Sequence, residues 1–398
     1  MKSMSRILVV NGPNLNLLGT RRPDIYGSAT LTDVEDACRA WGASLNTTVE
    51  TFQSNHEGSI IDRLHQARGA ADGIIINPGA FTHYSYAIHD ALEAVELPTV
   101  EIHISDITRR EAWRQQSVIA PACVATIYGR GTGGYRDALR HLVYRAARPP
   151  ITISYGSHPD QIADLRIPDG PGPYPTAVLI HGGFWRPVWQ RDLMDGIATD
   201  LTGRGIATWN IEYRREPGGW REALFDVASA LDHLPDLATD YELDLHRLVV
   251  AGHSAGGHLA LWASSRSRLA HDSPWGSPAV TPVLAVALAG VIDLERGAHD
   301  DLGGGAVEEF FGPTIETTAS PSRLLPLAVP QLIVHGSADD RVPVGHSRTY
   351  VDQARAAGDS VSFVELDGAD HSVLIDEQSA AWDEIATLIR DQLGNAPS

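Results

Sequence analysis

Two short stretches of this 398-residue chain concentrate side chains that could do chemistry. The first is Asn11-Gly-Pro-Asn14-Leu-Asn-Leu-Leu-Gly-Thr-Arg21-Arg22-Pro-Asp-Ile-Tyr26-Gly27, which follows the apolar run Ile7–Val10. It places amides, two guanidinium groups and a phenol on one loop. A phenol titrates near 10 unperturbed, so Tyr26 needs a permanent cation beside it to act as a base, and Arg21 is the candidate. The second is Gly252-His-Ser254-Ala-Gly256, where an apolar strand runs into G-x-S-x-G and then a helix. That context predicts a nucleophile elbow, with Ser254 exposed on a tight turn at a helix N-terminus.

The elements that must position the first stretch follow from periodicity. Strands are expected at Arg6–Val10, Thr48–Phe52, Gly73–Ile76, Thr99–Ile104 and Val124–Tyr128. Helices are expected near 33–41, 59–68, 85–95, 109–114 and 135–146, the first introduced by a capping box at Thr32 and Glu35. Continuous apolar strands alternating with helices predict a flavodoxin-like five-stranded parallel sheet, a doubly covered α/β domain over residues 1–147. Ligands bind beyond the carboxyl ends of such strands. Asn11 and Asn14, Gln53–Asn55, Asn77–Gly79 and His103–Ser105 all fall there, with His83, Asp90 and Arg114 in adjoining loops or helices. A phenol, histidines, arginines and amides suit proton abstraction beside a carbonyl, coupled to protonation of a leaving group.

Four ordered motifs carry a resemblance: Asn11–Arg21, Gln53-Ser-Asn-His-Glu-Gly58, Ile75-Ile-Asn77-Pro-Gly-Ala-Phe-Thr-His83 and Val100-Glu-Ile-His103-Ile-Ser105. Together they resemble type II 3-dehydroquinate dehydratase over about residues 4–147. The resemblance implies anti elimination of water from 3-dehydroquinate through an enolate, with no metal and no cofactor. It makes Tyr26 the base, with Arg21 lowering its pKa and stabilising the transition state. Asn14 would hold the water that supports the enolate, and His103 would be the acid, oriented by Glu101. Asn77, His83, Asp90 and Arg114 would hold ring hydroxyls, and the Ile104 and Ser105 amides the carboxylate. The family assembles as trimers grouped into a dodecamer, so a homo-oligomer is expected. Arg22, His89 and Asp106 depart from the family's usual Glu, Arg and Asn.

Pro149-Pro150 ends the first domain, since neither proline can continue a helix. Over residues 151–398 a strand pair at Ile151–Tyr155 and Ala163–Ile167 is expected, then strands at 177–180, 206–211, 247–251, 283–289, 331–334 and 361–366. Residues 290–329 read as an irregular excursion. Ser254, Asp339 and His371 stand in the chain order of an α/β-hydrolase triad, with Asp340 the runner-up acid. His181-Gly-Gly183-Phe184-Trp185 follows a strand and resembles the oxyanion loop of lipases and esterases, so the amides near Gly183, Phe184 and Ala255 would form the oxyanion hole. This half resembles the α/β hydrolases, close to kynurenine formamidases, although Asp370-His371-Ser372 departs from their common Asp-His-Phe. Ester and amide substrates both stay open. Trp185, Trp189, Trp209, Trp220 and Trp262 are candidates to line an acyl pocket.

The net charge of −19 falls wholly on the second half: residues 1–150 carry 15 basic and 15 acidic side chains, residues 151–398 carry 16 and 35. Two charge characters fit two domains, and an acidic half argues against nucleic acid. Lys2 is the sole lysine, which excludes Schiff-base and Walker-type lysine chemistry in the body of the chain. No stretch approaches a membrane span. Met1–Arg6 leads directly into a strand, and Cys38 and Cys123 lack metal-like spacing, so a cytoplasmic chain with two reduced, buried thiols is expected. The reading is a bifunctional enzyme acting on small molecules; the alternative is a serine esterase or arylformamidase whose N-terminal domain is an inactive oligomerisation scaffold.

Overall fold

The computed structural model describes residues 4–22 and 27–395. The chain divides into two compact units, Met1–Pro149 and Pro150–Ser398.

In the first unit, β1 (Arg6–Asn11), β2 (Thr48–Gln53), β3 (Gly73–Asn77), β4 (Thr99–His103) and β5 (Ala125–Tyr128) form one sheet in the order β2-β1-β3-β4-β5. Every pairing is parallel. This is the flavodoxin-like order, with its switch point between β1 and β3. The side-chain period of two divides β1 between two cores. Ile7 and Val9 pack with α1 (Leu31–Ser44) and α4 (Gly134–Ala147) through Val34, Cys38, Leu139 and Leu142. Leu8 and Val10 pack with α2 (Glu57–Ala67) and α3 (Tyr86–Val95) through Ile60, Leu64, Ile88 and Leu92.

Three local expectations are corrected. The capping box lies two residues earlier than Thr32 and Glu35: the Thr30 hydroxyl accepts from the Asp33 N–H, and the Asp33 carboxylate accepts from the Thr30 N–H at 2.8 Å. Thr30 is the residue with extended backbone, which the cap geometry requires. The helix expected at 109–114 is instead two 3-10 turns, Ile107–Arg109 and Ala112–Arg114. Cys38 is buried, whereas Cys123 is only partly so.

In the second unit an eight-stranded sheet runs β13-β12-β11-β10-β8-β9-β7-β6. The hairpin β6 (Ile151–Ser154) and β7 (Ile162–Arg166) is antiparallel, and β7 also pairs antiparallel with β9 (Ala207–Ile211). The remaining pairings, through β8 (Tyr174–Ile180), β10 (Leu243–His253), β11 (Leu284–Leu288), β12 (Gln331–Gly336) and β13 (Val361–Leu366), are parallel. One face carries α5 (Asp195–Gly203) and α12 (Ala380–Asn395). The other carries α6 (Trp220–Asp232), α7 (Leu234–Ala238) and α8 (Ala255–Ser264). Residues 290–329 contain the short helices α9 (Leu294–His299) and α10 (Ala306–Phe311), so the excursion is more regular than expected; α11 (Gly345–Ala356) follows β12. Trp185, Trp209, Trp220 and Trp262 are at most 4% exposed and fill the core rather than line a pocket. Trp185 stacks on Phe310 and meets Phe311 edge-on, which leaves its faces no room for an acyl chain. Among the described residues no helix is long and apolar enough to cross a membrane.

Candidate active sites

At the carboxyl edge of the first sheet, β1, β2 and β3 end in register, with Asn11 opposite both Gln53 and Asn77. The loops after β1 and β3 cross closely: the Gly12 N–H donates to the Asn77 carbonyl at 2.7 Å, and a Cβ on Gly12 would lie 2.4 Å from the Pro78 oxygen. Only glycine fits that crossing. Beyond it Asn14 adopts a left-handed backbone (φ 66°), and its N–H donates to Asn55 Oδ1 at 2.8 Å. Below, the buried Tyr135 hydroxyl donates to Asn11 Oδ1 at 2.6 Å and accepts from Asn77 Nδ2 at 3.1 Å. Burial keeps that phenol well above its ordinary value, so it stays neutral.

Asn14, Arg21, Asn77, His83, His103, Ile104, Ser105 and Arg114 line one cleft, together with Arg110, which the sequence reading missed. Glu101 lies behind it, fully buried, with Oε1 2.9 Å from His103 Nε2. The same carboxylate accepts from the Thr82 hydroxyl and, at 2.8–2.9 Å, from the Ser117 hydroxyl. His103 Nδ1 is thereby left as the ring nitrogen for work in the cleft. His83 Nδ1 meets the Gln116 carbonyl at 2.9 Å; a carbonyl only accepts, so Nδ1 carries the proton and Nε2 a lone pair. Burial, aided by His103 and Arg114, pushes its pKa down, so the imidazole is neutral. Arg110 Nη1 donates to Ser105 Oγ at 3.3 Å, and Arg114 lies over the Trp113 ring while paired with Glu111. Three guanidinium groups thus surround a cleft suited to a small anion. Asp90 is not brought there: it is exposed on α3 and does not line the cleft. Tyr26 lies outside the described residues. Arg22 is exposed with a left-handed backbone (φ 44°). Asp106 caps its own turn through the Thr108 N–H, and His89 binds the Val118 carbonyl, so both departures from the family pattern have local partners.

In the second unit β10 ends at His253, and Ser254 turns the chain into α8 with φ 57° and ψ −119°. A side chain with positive φ is strained, and the elbow survives because its surroundings fix it. The Ser254 N–H donates to the Leu288 carbonyl at 2.8 Å, and a Cβ on Gly252 would sit 2.0 Å from the Gly256 oxygen. His371 Nδ1 is 2.7 Å from Asp339 Oδ2. Asp339 Oδ1 accepts from the Arg341 and Val342 N–H groups at 2.8 and 2.9 Å, and His335 Nε2 lies 3.1 Å from Oδ2. Burial alone would raise this carboxyl, but the hydrogen bonds from His335 and His371 hold it well below the carboxylate range. Asp340 is an exposed residue 3.6 Å from Arg341, which leaves Asp339 as the acid beside His371. His253 donates from Nε2 to the His371 carbonyl at 2.8 Å, and their rings lie 4.5 Å apart. Burial pushes His253 down to about 3, so it remains a neutral brace for the base. The loop after β8 runs against the nucleophile: a Cβ on Gly182 would lie 2.9 Å from Ser254 Cβ. Gly183 and Phe184 follow with positive φ, and Ala255 opens α8, where an amide has no intrahelical acceptor.

The chain therefore pairs a cationic cleft built around a histidine–carboxylate pair with an α/β-hydrolase elbow and its acid–base partners. Residues 5–143 match the family described as Dehydroquinase class II, and residues 164–353 match the one described as BD-FAE. A catabolic 3-dehydroquinase of Verticillium alfalfae is 58% identical over 135 residues, which are 34% of this chain and 90% of that protein. The chain belongs to the class II dehydroquinase family through its first unit. The acetyl ester-xyloside bifunctional hydrolase of Caldicellulosiruptor lactoaceticus superposes with a TM-score of 0.52 at 20% identity, covering 62% of this chain and 96% of its own. A thermophilic esterase of Thermogutta terrifontis gives 0.52 at 21% identity, covering 62% and 94%. These two likenesses establish the α/β-hydrolase fold of the second unit.

Proposed function

We propose that the first unit dehydrates 3-dehydroquinate by anti elimination through an enolate, and that the second is a serine hydrolase of an ester or amide. The observation that carries the first reading is the buried Glu101–His103 pair facing a cleft lined by Arg21, Arg110 and Arg114. Tyr26 removes the proton beside the ketone while Arg21 holds the phenolate. Water on Asn14 supports the enolate, and His103 protonates the departing hydroxyl. Asn77, the neutral His83 and Arg114 bind ring hydroxyls, and the Ile104 and Ser105 amides bind the carboxylate. Asp90 joins them from outside its own cleft, in keeping with a trimer-based dodecamer. The catabolic names of the relatives favour the quinate-degrading direction. A cytoplasmic location fits both activities.

In the second unit Ser254 attacks the acyl carbon, His371 takes its proton and Asp339 holds the imidazolium. The amides of Gly183, Phe184 and Ala255 receive the oxyanion. The two readings are tested by separate loss. Tyr26→Phe abolishes enone formation and spares hydrolysis, Ser254→Ala does the reverse, and loss of both activities in either variant contradicts two independent sites.

A further inference from the structure

Among the buried charges of the described residues that the triad does not use, Glu212 is the one that touches the oxyanion loop at two points. Glu212 directly follows β9 and is 2% exposed, and a carboxylate is almost never buried so deeply unless it is paired. Its Oε1 accepts from His181 Nε2 at 2.8 Å, from the Tyr213 N–H at 3.2 Å and from Arg215 Nη1. Its Oε2 accepts from the Arg191 N–H at 3.0 Å. His181 and Arg191 are the two ends of the segment that carries Gly183 and Phe184, so one carboxylate fastens both ends of the oxyanion loop to the end of β9. Its neighbours do the same: the Tyr213 hydroxyl donates to the His181 carbonyl at 2.9 Å with the rings stacked at 4.5 Å, and Asn210 Nδ2 donates to the Arg191 carbonyl at 2.9 Å.

Between those ends the loop is strained, with φ of 104° at Gly183, 52° at Phe184 and 52° at Trp185. Consecutive left-handed residues persist only where the surroundings over-determine them. We propose that Glu212 is the positioning residue of the oxyanion hole: its carboxylate clamps His181 and Arg191 and so holds the Gly183 and Phe184 amides at Ser254. Arg215 and Arg191 offset its charge, so the clamp does not oppose the oxyanion above it.

Position and charge predict opposite signs. Removing a negative charge near the hole would by electrostatics alone favour the developing oxyanion, whereas loosening the loop disfavours it. The inference rests on reading the second unit as a serine hydrolase, so the probe is a fluorophosphonate, which labels an activated serine without requiring the natural substrate. Labelling of the full-length wild type and none of Ser254→Ala is the entry condition; an unlabelled wild type overturns the hydrolase reading itself. In Glu212→Gln the expected result is a fall in the limiting labelling rate of ~10–100-fold, at most the lower end of the loss for removing an oxyanion donor outright, since the amides are displaced and not deleted. The half-saturating probe concentration should stay nearly constant, which a general loss of folded protein would not produce. Tyr213→Phe removes only the hydroxyl held on the His181 carbonyl and should slow the limiting rate by a smaller factor, ~3–10-fold. A folded Glu212→Gln that labels as fast as wild type, or faster, overturns the clamp. If Glu212→Gln does not melt cooperatively, Tyr213→Phe decides: a slower limiting rate supports the clamp and an unchanged one overturns it.

Discussion

His103 illustrates how a residue acquires a direction. Its Nε2 is committed to Glu101, and that carboxylate is saturated by Thr82 and Ser117, so the proton the imidazole can exchange sits on the cleft side. Glu101→Gln is expected to lower dehydration kcat by roughly ten- to a hundredfold, because an amide can hold the ring but cannot stabilise its charged form. Steady-state kinetics check this. In the second unit, the carboxyls of Asp339 and Glu212 are held below the ordinary range by His335 and His371, and by Arg215 and His181. The unfolded chain therefore takes up protons first as the pH falls, so the stability these groups supply is complete above about pH 5 and drains away below it. Thermal melts should show the second unit losing stability progressively below that pH, and Asp339→Asn should flatten this limb while lowering hydrolysis by about 10⁴-fold. The sequence disclosed the groups proposed to touch substrate, because their types are unusual beside apolar strands. Beyond Glu101 and Asp339 it did not disclose their supports. Ser117, Thr82, Tyr135 and Glu212 are of ordinary type, far along the chain from the groups they hold, and only the fold brings them together.

Elements were legible where a single force decides them. The inner strands of both sheets are buried runs rich in aliphatic residues, and each expected strand, the half-exposed edge strands included, appears within a few residues of its expected bounds. Helix starts were less legible: Thr30 with Asp33 and Thr32 with Glu35 have the same spacing, and the backbone conformation at Thr30 chose between them. The segment 107–114 has helical composition yet forms two 3-10 turns, where Asp106 caps the first. The nucleophile elbow was legible because its glycines are dictated by contact. Gly252→Ala places a methyl carbon 2.0 Å from the Gly256 oxygen, and backbone cannot yield there cheaply. The expected outcome is destabilisation of the second unit by about 3 kcal/mol or more, with hydrolysis lost and dehydration kept, read by melting and by both assays.

For the whole molecule, two compact units with different candidate sites share one chain. On the two proposed activities, their fusion in one chain predicts action in sequence, the second unit releasing a cyclohexane carboxylate from an ester and the first consuming it. A panel of quinate-, shikimate- and dehydroquinate-type esters checks this; turnover lost in Ser254→Ala supports the sequence, and no turnover across saturating members contradicts it. The central claim is that the first unit is a working dehydratase and more than a scaffold for the hydrolase. It is tested most directly by following enone formation from 3-dehydroquinate in the full-length wild type, Tyr26→Phe and Ser254→Ala. The account predicts turnover in the wild type, an undiminished rate in Ser254→Ala and a loss of at least ~10³-fold in Tyr26→Phe. No enone from the wild type, or an unchanged rate in Tyr26→Phe, would contradict it.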